Sequence, residues 1–338
     1  MAYRETTMPF VQTQAKTLLQ QLEGGIRYLD LRLRCQRNRL VFYHGFFNLQ
    51  LEFDLHFQEV CKQFLSSHPS EFLIACIRKE KESKNCTLRF DRQVRKQVRA
   101  YPNLWYLGGA VKMPTVKELR GKIFLFKRFM ISFRGPFGLN LAFGWPGNSN
   151  GTITTGNTTH HINVHVQDKY KLNIFSTQGI QEKVRQVINQ MSWSASNAMS
   201  QSRQSQPTLF INLASAYKFP EAVPRSVALG FDEIYDLFDT LVYLKSLLRN
   251  CLTSSHDPCS TELIVYGVNS YLANEIVYAS EQLKTLGHCV YGNASLNSCS
   301  LGIIAFDFAF GDLAMPSGVK IPLNMGHYIQ KLIRLNGI

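Results

Sequence analysis

Hydrophobic and polar residues alternate in residues 27 to 34, where three leucines fall on one face of a predicted strand. The other face carries Asp30 and Arg32, so a carboxylate and a guanidinium project together. The next apolar run, residues 40 to 44, ends on a histidine followed by a glycine. This predicts that His44 lies at the end of an adjacent strand. Arginine beside a titratable imidazole suits phosphate chemistry.

Strand-like and helix-like patterns take turns along the rest of the chain. Apolar residues recur at helical spacing in some segments and form short buried or alternating runs in others. This order predicts a parallel sheet with helices packed on it, and about eight strands predict a TIM barrel. The predicted helices are 51–66, 89–99, 182–193, 233–248, 272–286 and one that begins after Asn324. The further predicted strands are 72–79, 104–108, 121–129, 163–170, 208–214, 262–266 and 301–308.

Two polar stretches interrupt this order. Residues 144–159 are rich in Gly, Asn, Ser and Thr and are interpreted as a long surface loop, and residues 200–207 resemble a linker. Neither coincides with a shift in composition. Residues 1–338 are therefore interpreted as one domain.

The chain is basic, with 37 Lys and Arg against 24 Asp and Glu and a formal net charge of +13. This charge favours an anionic partner, either a membrane surface or a nucleic acid. No nucleic-acid-binding module is recognisable, so the membrane surface is preferred. No apolar run approaches the roughly 18 residues of a membrane span, and the N-terminal residues lack the apolar segment of a secretory signal.

Two features could serve contact with a membrane. The first is four basic residues at helical spacing, which form either a lipid-binding face or an ordinary solvated face. The second is Phe143 and Trp145 on the Gly-rich loop, since indole favours the headgroup region. The four basic residues are Arg92, Arg95, Lys96 and Arg99.

The eight cysteines show no CxxC pair, so a zinc site is not expected. Cys61 and Cys76 lie within apolar patterns and are predicted to be core residues. Two other pairs are spaced so that disulfides could form, Cys251 with Cys259 and Cys289 with Cys299. Four N-glycosylation sequons, together with these cysteines, favour a secreted protein over a cytoplasmic one. The sequons are at Asn85, Asn150, Asn157 and Asn293.

Polar residues follow apolar faces at the ends of several predicted strands. Arg78 and Arg128 each end such a face, Asp168 and Tyr170 follow two valines, and Asp307 follows Ile303 and Ala305 on one face. Any one of them alone is more commonly a solvent contact. Their accumulation at carboxyl ends of strands is typical of a barrel active site.

Six motifs resemble the X-type catalytic domain of phosphatidylinositol-specific phospholipase C, in its bacterial, metal-independent form. The resemblance runs from about Gln12 to the C-terminus. It implies an α/β fold, a distorted (βα)8 TIM barrel of the PLC-like phosphodiesterase type, with an insertion at about residues 219–262. The motifs are QQLEGGIRYLDLRL, LVFYHG, EFLIACIRKE, RGKIFLFKRF, VQDKYKL and GIIAFDF.

The resemblance also assigns roles near the phosphate. Arg32 matches the arginine that contacts the phosphate, and Asp30 matches its acidic neighbour. His44 matches the general acid that protonates the departing glyceride oxygen. Asp307 matches the carboxylate that orients a second catalytic histidine.

Four further residues match those that hold the inositol ring. Arg78, Arg128 and Asp168 match hydrogen-bonding residues, and Tyr170 matches a stacking residue. The implied reaction cleaves phosphatidylinositol, or a glycosyl-phosphatidylinositol anchor, to diacylglycerol and inositol 1,2-cyclic phosphate. An arginine in the LDLRL strand implies that no calcium, other metal or cofactor is needed. The expected protein is a monomer that acts at the membrane surface without a nucleic-acid partner.

One family feature has no match. Relatives carry a histidine followed by aspartate in a segment resembling GTHDS upstream of the first strand, and that histidine deprotonates the inositol hydroxyl. The first histidine here is His44 itself. Two expectations remain open: a chain that lacks an N-terminal segment of an active enzyme, or a catalytically weakened protein that binds inositol phospholipids.

Overall fold

The structure is a computed structural model. It describes residues 11–108, 112–157, 160–172, 177–200, 208–218, 222–231, 265–266, 268–269, 271–273, 289–291, 294–296 and 302–307. The helices are α1 (Leu18–Glu23), α2 (Glu59–Ser67), α3 (Phe90–Arg99), α4 (Val116–Leu119), α5 (Thr177–Ser200) and α6 (Pro224–Leu229), and a π-helical turn, Asp54–Gln58, leads into α2.

The strands fall into a longer N-terminal set and a shorter C-terminal set. The first set is β1 (Tyr28–Gln36), β2 (Arg39–His44), β3 (Phe47–Glu52), β4 (Leu73–Lys79), β5 (Trp105–Tyr106), β6 (Ile123–Arg128) and β7 (Leu139–Asn140). The second set is β8 (Asn150–Gly156), β9 (His161–Gln167), β10 (Thr208–Leu213), β11 (Gly230–Phe231), β12 (Val265–Tyr266), β13 (Cys289–Tyr291), β14 (Ala294–Leu296) and β15 (Ile303–Ala305).

The N-terminal strands form one sheet in the order β3-β2-β1-β4-β6-β5, and β7 also pairs with β6. Strands β1, β4, β6, β5 and β7 run parallel, whereas β2 pairs antiparallel with β1 and β3 pairs antiparallel with β2. The β1–β2 hairpin turns at Arg37 and Asn38, whose positive φ angles of 50° and 60° suit a two-residue type I′ turn. The three leucines of β1 are buried on the face that packs against helices, as the alternation predicts.

A second sheet has the order β15-β10-β9-β8. Its β15, β10 and β9 are parallel and β8 is antiparallel to β9. Strand β15 lies beside β1, and β7 lies beside β8. An apolar layer between the sheets contains Phe124, Phe126, Val164 and Val166. The α/β class is confirmed. Strand pairing within the described residues gives these two sheets and two further two-stranded pairs, β11 with β12 and β13 with β14, rather than one closed barrel.

Most of the predicted elements before residue 214 occur, with two differences. The predicted helix 51–66 is shorter at its start, because residues up to Glu52 form β3, and the predicted loop 144–159 contains β8. In β8 the β-branched run from Thr152 to Thr155 pairs with β9 and buries Ile153. The Gly-, Asn-, Ser- and Thr-rich composition of this stretch predicted a loop, so the edge strand was not expected. The predicted helices 233–248, 272–286 (beyond residue 273) and after Asn324, the linker 201–207 and most of the insertion 219–262 lie outside the described residues.

One disulfide joins Cys35 at the end of β1 to Cys86 in the β4–α3 loop. Sequence spacing did not indicate this pair, because the two cysteines are 51 positions apart and meet only when β1 and β4 align. Cys61 and Cys76 are free and buried, as predicted. Cys251, Cys259 and Cys299 lie outside the described residues. Among the helices that the structure describes, none combines the length and apolar character needed to cross a membrane.

Candidate functional site

Parallel register places three arginines side by side. Arg32 of β1 aligns with Arg78 of β4, and Arg78 aligns with Arg128 of β6. Arg78 and Arg128 end the inward faces of their strands, as the alternating patterns predict, whereas Arg32 lies within β1 on the face that Asp30 shares. Three adjacent guanidiniums repel one another unless anions lie between them. The row therefore defines a site for carboxylates and for an anionic ligand.

Asp30 supplies the first carboxylate. Its Oδ2 lies 3.5 Å from Arg32 Nε, and its Oδ1 lies 3.5 Å from Arg128 Nη1. Burial alone would raise the pKa of Asp30, but Arg128 and Arg32 outweigh it and the pKa is lowered. Asp30 is thus an anion that holds two arginines of the row in place.

Glu80 supplies a second carboxylate, which sequence reasoning missed. Its Oε1 lies 3.7 Å from Arg32 Nη1 and accepts a 2.9 Å hydrogen bond from the backbone N–H of Gly45, while its Oε2 lies 3.6 Å from Arg78 Nε. Its side chain is only 7% exposed. In the sequence Glu80 sits in a charged run that resembles solvated surface. Glu80 links Arg32 and Arg78 to the turn that follows His44.

On the side away from Asp30, Arg128 contacts one aromatic ring and one carboxylate. The Arg128 guanidinium carbon is 3.5 Å from the centre of the Trp145 ring, and Nη2 is 3.9 Å from Asp168 Oδ2. Trp145 Nε1 donates a 2.6 Å hydrogen bond to the same carboxylate oxygen. Trp145 is therefore a site residue, with its half-buried indole between Arg128 and Asp168, and its contact with the membrane surface stays a prediction. Burial raises the pKa of Asp168, although the hydrogen bond from Trp145 and the charge of Arg128 act to lower it.

His44 ends β2, and Gly45 makes the following turn with φ 58°. The imidazole Nδ1 lies 2.8 Å from the carbonyl oxygen of Val11, so a protonated Nδ1 donates there and leaves Nε2 available. Burial and the nearby Arg32 charge lower the pKa of His44. The predicted neighbour of the β1 arginine is thus in place.

Asp307 follows β15, which lies beside β1. Burial raises the pKa of Asp307 to about 6, despite an opposing interaction with Arg32. Tyr170 instead stacks on Tyr217, with ring centres 5.7 Å apart and planes 15° apart. The Tyr170 ring therefore has an aromatic partner in the loop after β10 that the sequence did not reveal.

His165, on the side of β9 opposite Asp168, has contacts of its own away from the arginine row. His165 Nδ1 lies 2.6 Å from the hydroxyl of Thr152, and its ring packs 4.0 Å from Trp193. This confirms that His165 faces away from Asp168. Among the residues that the structure describes, no group of three or more His, Cys, Asp or Glu side chains is arranged to hold a metal ion.

Sequence comparison finds relatives over part of the chain. A 1-phosphatidylinositol phosphodiesterase of Listeria monocytogenes is 37% identical over 125 residues, which are 35% of this chain and 37% of the relative. That of Staphylococcus aureus strain Newman is 30% identical over 168 residues, 48% of this chain and 53% of the relative. The chain thus spans between 37% and 53% of the length of these curated relatives. No protein-family model matches it.

Structural comparison covers nearly the whole chain. A variant of the phosphatidylinositol-specific phospholipase C from S. aureus has a TM-score of 0.64 and 20% identity, over 97% of this chain and 87% of that one. The chain resembles the bacterial phosphatidylinositol-specific phospholipases C in sequence and in fold. The phospholipase C from L. monocytogenes has a TM-score of 0.57 and 20% identity, over 97% of this chain and 85% of that one. The family resemblance carried by the six motifs is therefore confirmed, and the arginine row lies within a phospholipase C fold.

Proposed function

We propose that this protein is a phosphodiesterase that cleaves phosphatidylinositol, or a glycosyl-phosphatidylinositol anchor, without a metal ion. One observation carries the proposal: Arg32, Arg78 and Arg128 are adjacent in register and are held by buried carboxylates within this fold. Such a row suits a phosphodiester anion with a neutral polyol attached to it.

Arg32 is assigned to the phosphate. Asp30 and Glu80 flank its guanidinium at 3.5 and 3.7 Å and fix its direction. In the transition state negative charge accumulates on the non-bridging phosphate oxygens. A guanidinium that is already oriented stabilises this charge without reorganising.

The proposed chemistry is an internal displacement at phosphorus. The inositol 2-hydroxyl gives its proton to water, since no described residue matches the family histidine that takes it, and its oxygen forms a bond to phosphorus while the bond from phosphorus to the glyceride oxygen breaks. His44 donates the proton that the glyceride oxygen takes up, which releases diacylglycerol and leaves inositol 1,2-cyclic phosphate. The Val11 carbonyl supports this role because it accepts from Nδ1 and leaves Nε2 for the leaving group.

The inositol ring is assigned to the other end of the row. Arg128 and the Asp168 carboxylate offer a donor and an acceptor 3.9 Å apart, a spacing suited to vicinal hydroxyls, and Trp145 holds the carboxylate. Arg78 lies on the neighbouring strand. Tyr170, backed by Tyr217, supplies an aromatic face for the ring.

We further propose that the two sheets belong to one distorted barrel. The packing of β15 beside β1 and of β7 beside β8 supports closure at both seams. Closure also explains why Asp307, at the end of β15, interacts with Arg32 on β1.

A second candidate function is binding of inositol phospholipids without turnover. It is favoured because no described residue matches the family histidine that deprotonates the inositol hydroxyl. The binding residues in the arginine row would serve either function equally. Asp307, whose family counterpart orients that histidine, would then have only an electrostatic role.

The two functions are separated by one experiment with phosphatidylinositol vesicles in EDTA. Release of cyclic inositol phosphate supports the enzyme, whereas myo-inositol binding without release supports the binding protein. His44→Ala should lower turnover by about 10²- to 10⁴-fold and leave myo-inositol affinity nearly unchanged. His165→Gln, on the opposite side of β9, is the matched control and should behave as wild type. Loss of activity on chelation would overturn the metal-independent mechanism.

We propose that the protein meets the membrane with the end of the sheet that carries the site. Large apolar side chains are exposed there, among them Phe46, 84% exposed, two positions after His44, and Phe143, 62% exposed, shortly after β7. Lys81 lies 3.7 Å from the centre of the Phe46 ring and adds positive charge. On α3, Arg92, Lys96 and Arg99 are exposed, whereas Arg95 packs on Phe133.

We also propose that the protein is secreted. The Cys35–Cys86 disulfide supports an oxidising compartment. The exposed Asn85, in the sequon that contains Cys86, is consistent with this location.

A further inference from the structure

A buried lysine on the outer helix α5 reaches the segment that carries Asp168 and Tyr170. The Lys183 side chain is 2% exposed. Its ammonium Nζ donates to the backbone carbonyl of Lys169 at 2.7 Å and to the side-chain Oε1 of Gln167 at 3.1 Å. One ammonium group therefore binds the last residue of β9 and the backbone of the segment that follows it.

Gln167, which is itself fully buried, extends this contact into a polar network. Its Oε1 also accepts from the backbone N–H of Lys169 at 2.8 Å, and its Nε2 donates to Asn212 Oδ1 at 2.8 Å and to the Leu213 carbonyl at 3.0 Å. Asn212 Nδ2 in turn donates to the Val187 carbonyl on α5 at 2.8 Å. The network ties the carboxyl ends of β9 and β10 to one helix.

Stability alone does not explain a charge at this position. Burying an ammonium is costly even when it is hydrogen-bonded, and an apolar side chain of similar size is commonly as stable or more stable. Burial lowers the pKa of Lys183 to about 7, with Asp168 and Asp307 acting in the opposite direction. The two site carboxylates and its two hydrogen bonds therefore favour the charged form of Lys183, against its burial.

We propose that Lys183 is a positioning residue that fixes the peptide between Asp168 and Tyr170, so that both side chains reach the inositol ring together. The inference rests on the proposed function, since it assigns a role in holding the same ligand. Lys183 does so from behind, by hydrogen-bonding the carbonyl of Lys169 between the two residues. Asn148 secures the far side, because its Oδ1 accepts from the backbone N–H groups of Tyr170 and Lys171.

The matched comparison is Lys183→Met against Glu182→Gln, in the full chain. Glu182 is the next residue on α5 and pairs with the Lys169 side chain at 3.0 Å, but both groups are 36% exposed. Lys183→Met should raise the Kd for myo-inositol and the KM for phosphatidylinositol by about tenfold, with a smaller change in kcat and an unchanged or higher Tm. Glu182→Gln should leave all four values near those of wild type.

Three outcomes overturn the inference. It is wrong if Lys183→Met binds inositol as Glu182→Gln does, or if its loss of affinity only follows a lowered Tm. If wild type neither binds myo-inositol nor cleaves phosphatidylinositol, the proposed function fails and the inference fails with it, whereas a failure confined to the variants overturns the inference alone.

A measurement on wild type covers the case in which Lys183→Met does not fold. Saturation with myo-inositol should shift the ¹⁵N resonance of Lys183 Nζ more than that of Lys127 Nζ. Lys127 is the comparison because it is also buried, at 5% exposed, but lies on the face of β6 opposite Arg128. An equal shift, or none at Lys183, would contradict the positioning role.

Discussion

Arg128 Nη1 lies 3.5 Å from Asp30 Oδ1, although the two residues belong to strands that are separated by β4. The contact spans the inner face of the sheet. The Arg128 side chain is 9% exposed and that of Asp30 is 21% exposed, so water screens the pair only weakly. The arginine row is consequently part of the internal structure of the protein as well as the proposed ligand site.

Arg128→Met should therefore reduce stability as well as ligand binding. It leaves Asp30 and Asp168 without their shared cation, and loss of one partner of a buried pair costs about 3 to 5 kcal/mol in the free energy of unfolding. The pKa of Asp30, now lowered, should rise. Since a lowered carboxyl pKa stabilises the fold only above that pKa, the deficit should be largest at neutral pH and shrink on acidification.

Urea unfolding at neutral and acidic pH measures this effect, with Arg89→Met as the control. Arg89 pairs with Asp91 at 3.4 Å, but it is 67% exposed, and Asp91 keeps two hydrogen bonds from Ser132. The control should cost about 1 kcal/mol or less. Similar deficits in both variants would show that the Arg128 pair is not structurally important.

Side chains at the strand ends could be located from the sequence because alternation fixes the face on which a residue lies. Asp30 and Arg32 share a face with period two, and Arg78 and Arg128 end faces whose other members are apolar. The register of the parallel strands, which the structure shows, aligns the three arginines. The α/β class follows from the same periodicities. Closure of the sheets into a barrel does not, since it depends on contacts between strands that are remote in sequence.

Residues that act through long side chains were missed for a physical reason. Glu80 lies just beyond β4 and Lys183 on a helix with polar and apolar faces, so their periodicity resembles that of surface residues. Only the folded chain shows that Glu80 joins two arginines and that Lys183 reaches Lys169. Trp145 was assigned to a loop by the Gly-rich composition around it. An indole N–H needs a hydrogen-bond acceptor when it is buried, and this was the one property of Trp145 that could have indicated a contact with a carboxylate such as Asp168.

The pH dependence of turnover should be a bell whose acidic limb lies at about pH 6. Asp307, whose pKa is raised to about 6, is assigned a role as an anion, so kcat/KM should fall as the pH drops below that value. His44 must carry a proton to act as the acid, and burial together with Arg32 keeps its pKa below the usual 6.5. The rate should therefore also fall as the pH rises through that pKa.

Initial rates on phosphatidylinositol vesicles across the acidic and neutral range test this profile, at constant ionic strength. Unfolding at each pH is followed in parallel, so that acid denaturation is not mistaken for the acidic limb. A plateau that extends well above neutral pH would contradict the assignment of His44 as the acid.

Reduction of the Cys35–Cys86 disulfide should destabilise the protein. The bond closes a loop of 51 residues, for which chain entropy predicts a contribution of about 4 kcal/mol. Dithiothreitol should lower the Tm of wild type but not that of the Cys35→Ser/Cys86→Ser double variant. Because Cys61 and Cys76 are buried free thiols, they should not respond while the protein is folded. An equal Tm in both redox states would mean that the bond contributes little.

Phe46 and Phe143 should contribute to membrane binding more than to stability. Both are exposed, so Phe46→Ser and Phe143→Ser should leave the Tm nearly unchanged. Transfer of a phenylalanine side chain from water to an apolar environment is worth about 1.5 to 3 kcal/mol. Each variant should therefore bind phosphatidylinositol vesicles roughly ten- to hundredfold more weakly, as measured by sedimentation. Val116→Ser is the matched control, because Val116 is 55% exposed but lies on α4, at the amino-terminal end of β6 and away from the site. If this control weakens binding as much as the phenylalanine variants do, the protein meets the membrane with a different surface.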